Sequence, residues 1–273
     1  MTPGVNPFPG VPTLGDFTVL QIELWLLVLL RVSMLVFLLP ILSTDEVPAR
    51  LKAAMSFFLS LVLFPLLPPG TIEIPSSLGA YFMLAIREVY IGLVMGFAGT
   101  FMFTGLRLAG SWIDQETGFA SVQLFNPMAQ EEDTPLGHLL FLLFIMLLLS
   151  TQGYAFYIKA MAESFRIIPL ASAQEASAGI LTIFMRMSTS AFVLGLKVAS
   201  PVVTTLFVSS IALALIARIM PQMNVWLVGM PMKLALGMLT TIFALPLLWQ
   251  AFLGEQGRMQ EYWVGLMRLM GAS

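Results

Sequence analysis

The 273 residues contain no cysteine. That absence excludes disulfides, thiolate metal sites and cysteine nucleophiles together. A single histidine, His138, excludes the HExxH zinc motif and any multi-histidine metal cluster. No P-loop is present to hold a nucleotide phosphate. The four aspartates, Asp16, Asp45, Asp114 and Asp133, lie outside the cores of the apolar runs, and His138 stands beside no Gly-x-Ser-Gly, so neither dyad of an intramembrane protease is expected. Charged residues are scarce as well, at 10% against about 25% in a soluble domain. The formal net charge of -2 is wrong in sign for a nucleic-acid partner. No catalytic site, metal or cofactor is expected.

What is present is apolar. Hydrophobic residues make up 58% of the chain and the mean hydropathy is +0.91. A water-soluble fold of this length could not hide that much apolar surface, so a bilayer or a large hydrophobic complex must cover it. The 19 methionines and 21 phenylalanines add adaptable bulk. Residues 1–16 carry Pro3, Pro7, Pro9 and Pro12 but no Lys or Arg, so the basic region of a cleavable signal peptide is missing. The first apolar run is therefore expected to remain as a structural helix.

The pattern predicts an all-α membrane protein with about six long apolar helices in a single domain, residues 1–273. The segments are Phe17 to Leu42, Ala49 to Leu67, Ser76 to Trp112, Pro135 to Phe165, Ala176 to Met220 and Met230 to Phe252, followed by an amphipathic tail from Glu255 to Met270. Each exceeds or approaches the roughly 20 residues that cross about 30 Å of hydrocarbon. Ser76 and Ser77 are candidate helix caps. The third and fifth segments are too long for one simple crossing. They are expected to kink, fold into hairpins or project, with Pro201 and the preceding Gly195 as the break in the fifth and Gly105 or Gly110 in the third.

Several charges sit within apolar stretches: Arg31, Arg87, Glu88, Arg186 and Lys197. A charge facing lipid costs a few kcal/mol or more, so these should face protein or water. Arg87 and Glu88 are neighbours that point about 100° apart on a helix, so each should meet a different helix or subunit. A structural buried pair and a substrate pathway are both open. Gly92-x-x-x-Gly96 offers a smooth face for close approach, either within the chain or to another subunit. With six spans, Arg50, Lys52, Arg107, Arg218 and Lys233 would lie on one side, with Lys159, Arg166, Arg258 and Arg268 on the other. That balance gives no orientation by the positive-inside rule.

The connectors carry the most specific pattern. After the fifth segment stands Ala217-Arg218-x-x-Pro221-Gln222-Met-Asn224-Val-Trp, then Gly229-x-Pro231-x-Lys233. This stretch resembles the signature of the FliR family of flagellar type III export-apparatus proteins. Pro40 to Lys52, with Pro48-x-Arg50-x-Lys52, is similar to that family's first loop. Gly110 to Pro127 is similar to its middle loop, with Gly110-x-x-x-x-Gln115-x-x-Gly118 and the Asn126-Pro127 ending.

The resemblance implies more than composition does. It implies a subunit of a helical export gate, joined to FliP- and FliQ-like subunits and working with FlhB- and FlhA-like export proteins. Unfolded flagellar proteins would be the substrate. The chain would comprise a FliP-like part over about 1–175 and a FliQ-like hairpin over about 176–273. The site would be the bacterial inner membrane at the flagellar basal body, surrounded by lipid and partly projecting towards the periplasm. The middle loop would plug the pore through Gly118, Phe119, Val122, Leu124, Phe125, Asn126 and Pro127. Relatives carry aromatics near positions 121 and 124, where this chain has Ser121 and Leu124 and places its bulk at Phe119 and Phe125. The alternatives are the related injectisome gate, SctT-like, and a secondary transporter, which would show internal repeats.

Overall fold

The structure, a computed structural model, describes residues 19–39, 42, 47–67, 77–118, 135–170 and 179–271. The described residues are helical apart from short turns. In order they form α1 (Val19–Leu38), α2 (Ala49–Leu63) with a 3-10 turn (Phe64–Leu66), α3 (Leu78–Thr117), α4 (Pro135–Ser150), α5 (Gly153–Ile167), α6 (Gly179–Ile219) and α7 (Val225–Gly271). Among these, α1, α3, α6 and α7 are long and apolar enough to cross a membrane, and α4 with α5 makes a fifth if that bent pair is one span.

The count falls short of six for two physical reasons. Helix α2 has 15 residues, about 22 Å of rise, and its continuation is tightened into a 3-10 turn by Pro65. The fourth segment, expected to be one helix, bends by 70° between α4 and α5. Gln152 sits there with φ 55, a left-handed conformation that ends α4.

The third segment runs five residues past its expected end at Trp112, the fifth keeps close to its expected bounds, and neither folds back on itself. Helix α3 runs 40 residues, through Gly110 to Thr117, so the first half of the expected middle loop is helix and Arg107 lies inside it. Helix α6 runs 41 residues straight through Pro201. Pro201 has no N–H for the Lys197 carbonyl. The Ser200 hydroxyl donates to that carbonyl at 3.2 Å instead, and the Thr205 hydroxyl donates to the Pro201 carbonyl at 2.9 Å. The last span and the amphipathic tail are one 47-residue helix, α7. The caps follow sequence: the Ala80 amide donates to Ser77 Oγ at the start of α3, and the Leu227 amide to Asn224 Oδ1 at the start of α7.

The chain divides into two compact units. The first comprises Met1–Thr100, Ala155–Ile183 and Tyr262–Ser273, the second Phe101–Tyr154 and Phe184–Glu261. In the first, α1 and the early part of α3 run side by side and parallel: Tyr81 donates to the Glu23 carbonyl, and Gly92 and Gly96 take Arg31, Met34 and Leu38. Trp263 is buried against Phe156 and Tyr157 with edge-on ring contacts. In the second, α6 and α7 pair antiparallel. Leu213 meets Gly229, Leu206 meets Gly237, and Ser190 Oγ donates to Glu255 Oε1 at 2.6 Å. The late part of α3 packs on α4 through Phe103 and Phe141, and on α6 through Trp112 and Phe192.

Candidate functional site

The second unit holds the root of the middle loop. Helix α3 ends at Thr117, and Gly118 follows with φ +91, its amide donating to the Gln115 carbonyl at 3.3 Å. A glycine in this left-handed conformation is the usual stop for a helix. One turn earlier, the fully buried Asp114 reaches sideways to the next helix. Its Oδ2 accepts the Leu136 amide at 2.9 Å and the Gly137 amide at 3.1 Å. These are amides of the first turn of α4, which have no partner within their own helix. The carboxylate also sits at the positive end of that helix dipole. Pro135 starts α4 with its φ already set for a helix.

The same two helices touch backbone to backbone. A Cβ on Gly110 would fall on the Cα of Gly137, so only glycine fits that crossing. Both ends of the segment 119–134 are thereby fixed to one helix crossing, by Asp114 and by the Gly110–Gly137 contact.

Helix α7 forms the facing wall. Lys233 Nζ donates to the Glu116 carbonyl at 3.3 Å, near the negative end of α3. Met230 lies against Gly118. A cavity of about 360 Å³ opens there, lined by Gln115 of α3 and Gly118 just after it, Ser210 and Leu213 of α6, and Met230 and Lys233 of α7. The Gly110-to-Gly118 framework and the Gly229-x-Pro231-x-Lys233 motif, separate in sequence, thus share one site.

The remaining loop residues have structural places. Asn224 caps α7, while Pro221 and Gln222 are exposed in the turn before it and Arg218 in the last turn of α6. Gly229 is buried against Leu213, and Pro231 is exposed on α7. Pro48 precedes α2 with φ -57; Arg50 is exposed on that helix and Lys52 half-buried. Of the proposed plug residues only Gly118 is described. Phe119, Val122, Leu124, Phe125, Asn126 and Pro127 lie outside the described residues.

The first unit holds the buried charges. Arg31 and Glu88 are both fully buried and pair at 2.6 Å from Nε to Oε2. Arg31 Nη1 donates to the Ser164 carbonyl at 3.2 Å and the Ile168 carbonyl at 3.0 Å, and its guanidinium stacks over the Phe165 ring. One arginine therefore joins α1, α3 and the carboxyl end of α5. Arg87 is half-buried on the adjoining face of α3. Gly92 and Gly96 face α1: a Cβ on Gly92 would lie 2.5 Å from the Arg31 carbonyl oxygen, and one on Gly96 would lie 2.7 Å from Leu38 Cβ. Arg186 and Lys197 are exposed on α6, in the second unit.

Sequence reasoning missed Asp114. It stood among the residues outside the apolar cores, whereas it is wholly buried and serves a helix that starts 21 residues further on. The pairing of Arg31 with Glu88 was within reach: two opposite charges in two apolar helices need partners.

The model of the family described as bacterial export proteins, family 1, matches residues 22–259. A flagellar biosynthetic protein FliR of Caulobacter vibrioides is 30% identical over 221 residues, which is 81% of this chain and 88% of the relative. A FliR of Bacillus subtilis is 27% identical over 91% of this chain and 96% of the relative. The Yop proteins translocation protein T of Yersinia pestis is 29% identical over 59% of this chain and 62% of the relative. The chain belongs to the bacterial export proteins, family 1, the family of the FliR flagellar biosynthetic proteins.

Proposed function

We propose that the chain is a subunit of the flagellar type III export gate, and that its middle loop plugs the pore through which unfolded flagellar proteins pass. It assembles with FliP- and FliQ-like subunits, residues 1–175 taking the FliP-like place and 176–273 the FliQ-like hairpin. FlhB- and FlhA-like proteins are the further partners. The assembly sits in the inner membrane at the basal body and projects towards the periplasm. Helices α6 and α7, at about 62 and 70 Å, are twice the hydrocarbon thickness, and projection accommodates that length.

The observation that carries the plug is the root of the loop. Asp114, Gly110 and Gly137 hold both ends of segment 119–134 to one crossing, and Lys233 and Met230 brace the α3 end. A loop whose two flanks are held to one crossing returns to the same place after a substrate displaces it. Apolar side chains across a narrow pore exclude water and ions by dewetting. Phe119, Leu124 and Phe125 are the sealing side chains in this reading, with Val122 beside them and Gly118, Asn126 and Pro127 as the flanks.

The test is ion conductance of the assembled gate carrying Phe119→Ala with Phe125→Ala. The reading expects normal assembly and a leak of small ions in the closed state. Unchanged conductance in a fully assembled mutant would remove the plug assignment. The Yersinia relative keeps an injectisome gate as the second reading, though the match to it spans less of the chain than the FliR matches do.

A further inference from the structure

From residue 176 to residue 254 the chain carries four cations, Arg186, Lys197, Arg218 and Lys233, and no Asp or Glu. Two of the four are accounted for. Lys233 donates to the Glu116 carbonyl, and Arg218 stands in the last turn of α6, where a cation complements the helix end. Arg186 and Lys197 have no such role. They are 11 residues apart, three turns and about 16 Å, and so lie on one face of α6. Both are exposed, and neither has an ion-pair partner among the described residues. Thr189, Ser200 and Thr204 fall on the same face and are exposed as well.

The flanks of this polar stripe decide what covers it. Met185, Phe192 and Leu196 are 53–55% exposed beside it, and Phe207 and Val208 continue the apolar border. Of the four long helices α6 is the least covered by its own chain. Lipid would accept the border but not Arg186 and Lys197. Water would accept the two cations but not an adjoining strip of Met, Phe and Leu of that size. A protein face satisfies both, provided that it is apolar and carries carboxylates opposite the cations.

We infer that the Arg186–Lys197 face of α6 docks a helix of a partner subunit that bears Asp or Glu side chains in an apolar surround. This rests on the reading of the chain as part of a hetero-oligomer and adds the chemistry of one of its contacts.

The absence of cysteine from this chain lets a thiol be introduced at one position. Thr204→Cys places it two turns from Lys197 on the same exposed face, away from the Ser200 hydroxyl that serves the Lys197 carbonyl, and a benzophenone maleimide attached there is photolysed in the membrane. The expected adduct is a helical segment of a different subunit with an Asp or Glu within about two turns of the cross-linked residue. Lys197→Glu should lower the amount of chain recovered in the assembly at least tenfold, and replacing the mapped carboxylate by Lys should restore it. Lys197→Met should also lower recovery, because it strands a buried carboxylate, whereas Lys197→Arg should stay within twofold of wild type. Adducts only to lipid, to an exported polypeptide or to a second copy of this chain would overturn the inference. So would wild-type recovery of Lys197→Met. In each of these outcomes the hetero-oligomer itself still forms, so failure of this contact is distinct from failure of the gate reading.

Discussion

Arg31 and Glu88, 57 residues apart in sequence, form an ion pair at 2.6 Å with neither side chain exposed. The pair does not stand alone, since Arg31 also occupies the Ser164 and Ile168 carbonyls at the end of α5. Removing one member of a buried pair leaves an uncompensated charge, at a cost of about 3–5 kcal/mol. Glu88→Gln should therefore lower thermal stability of the purified protein sharply. Arg31→Met should lower it further, because it also takes the guanidinium from the Ile168 carbonyl and leaves the Ser164 carbonyl with the Ile168 amide alone. The double variant Arg31→Met with Glu88→Met should lose less than the sum of the two single changes, and strict additivity in the thermal unfolding would show that the pair is not the coupled unit described.

Backbone crossings give a second prediction. Gly110→Ala drives a methyl group into the backbone of Gly137, which cannot move aside without separating α3 from α4. Little folded protein should accumulate in the membrane. Gly254→Ala is the matched control: it lies on α7 with nothing within 4 Å of the added carbon. It should stabilise by about 0.5–1 kcal/mol through helix propensity. Equal accumulation of the two variants would contradict the crossing.

The Asp114 clasp gives a third. Asp114→Ala removes the acceptor for two amides of α4 and should cost about 1–2 kcal/mol, in the range of a lost helix cap. Asp114→Asn keeps an acceptor without the charge and should fall between. Hydrogen exchange reads the site directly: the amides of Leu136 and Gly137 should exchange faster in Asp114→Ala while those near Leu148 stay protected. Unchanged exchange at Leu136 and Gly137 would mean that the carboxylate is not their partner.

A fourth concerns Ser200. It donates to the Lys197 carbonyl that Pro201 leaves without its usual amide. Ser200→Ala should loosen α6 at that turn, seen as faster exchange around residues 197–205. With Pro201→Ala also present, the extra loosening should disappear, because the restored amide takes over the carbonyl. If Ser200→Ala has the same effect in both backgrounds, the hydroxyl is not replacing the missing bond.

The helical membrane class could be read from the sequence because 58% apolar residues with 10% charged have no other stable home. The start of α3 was readable too, since Ser77 is a local signal that acts within one turn, whereas Asn224, read as part of a connector, caps α7 ahead of the Met230 expected to begin it. Lengths were not. Pro201 reads as a break, yet the helix continues past it, with the Ser200 hydroxyl on the Lys197 carbonyl that proline leaves without its amide, a compensation that no periodicity count contains. Gly110 to Thr117 read as a polar connector because Asp114, Gln115 and Glu116 are polar. They stay helical because Asp114 has a buried task on another helix, 22 residues away. Long-range pairings of this kind leave only an unpaired charge in the sequence, which marks that a partner exists without naming it.

The measurement that bears most directly on the central claim is the native mass of the detergent-extracted complex, with this chain tagged and candidate FliP- and FliQ-like partners co-expressed. The account predicts a large hetero-oligomer that contains this chain together with both partners. A monomer, or a small oligomer of this chain alone while the partners remain unbound, would contradict it.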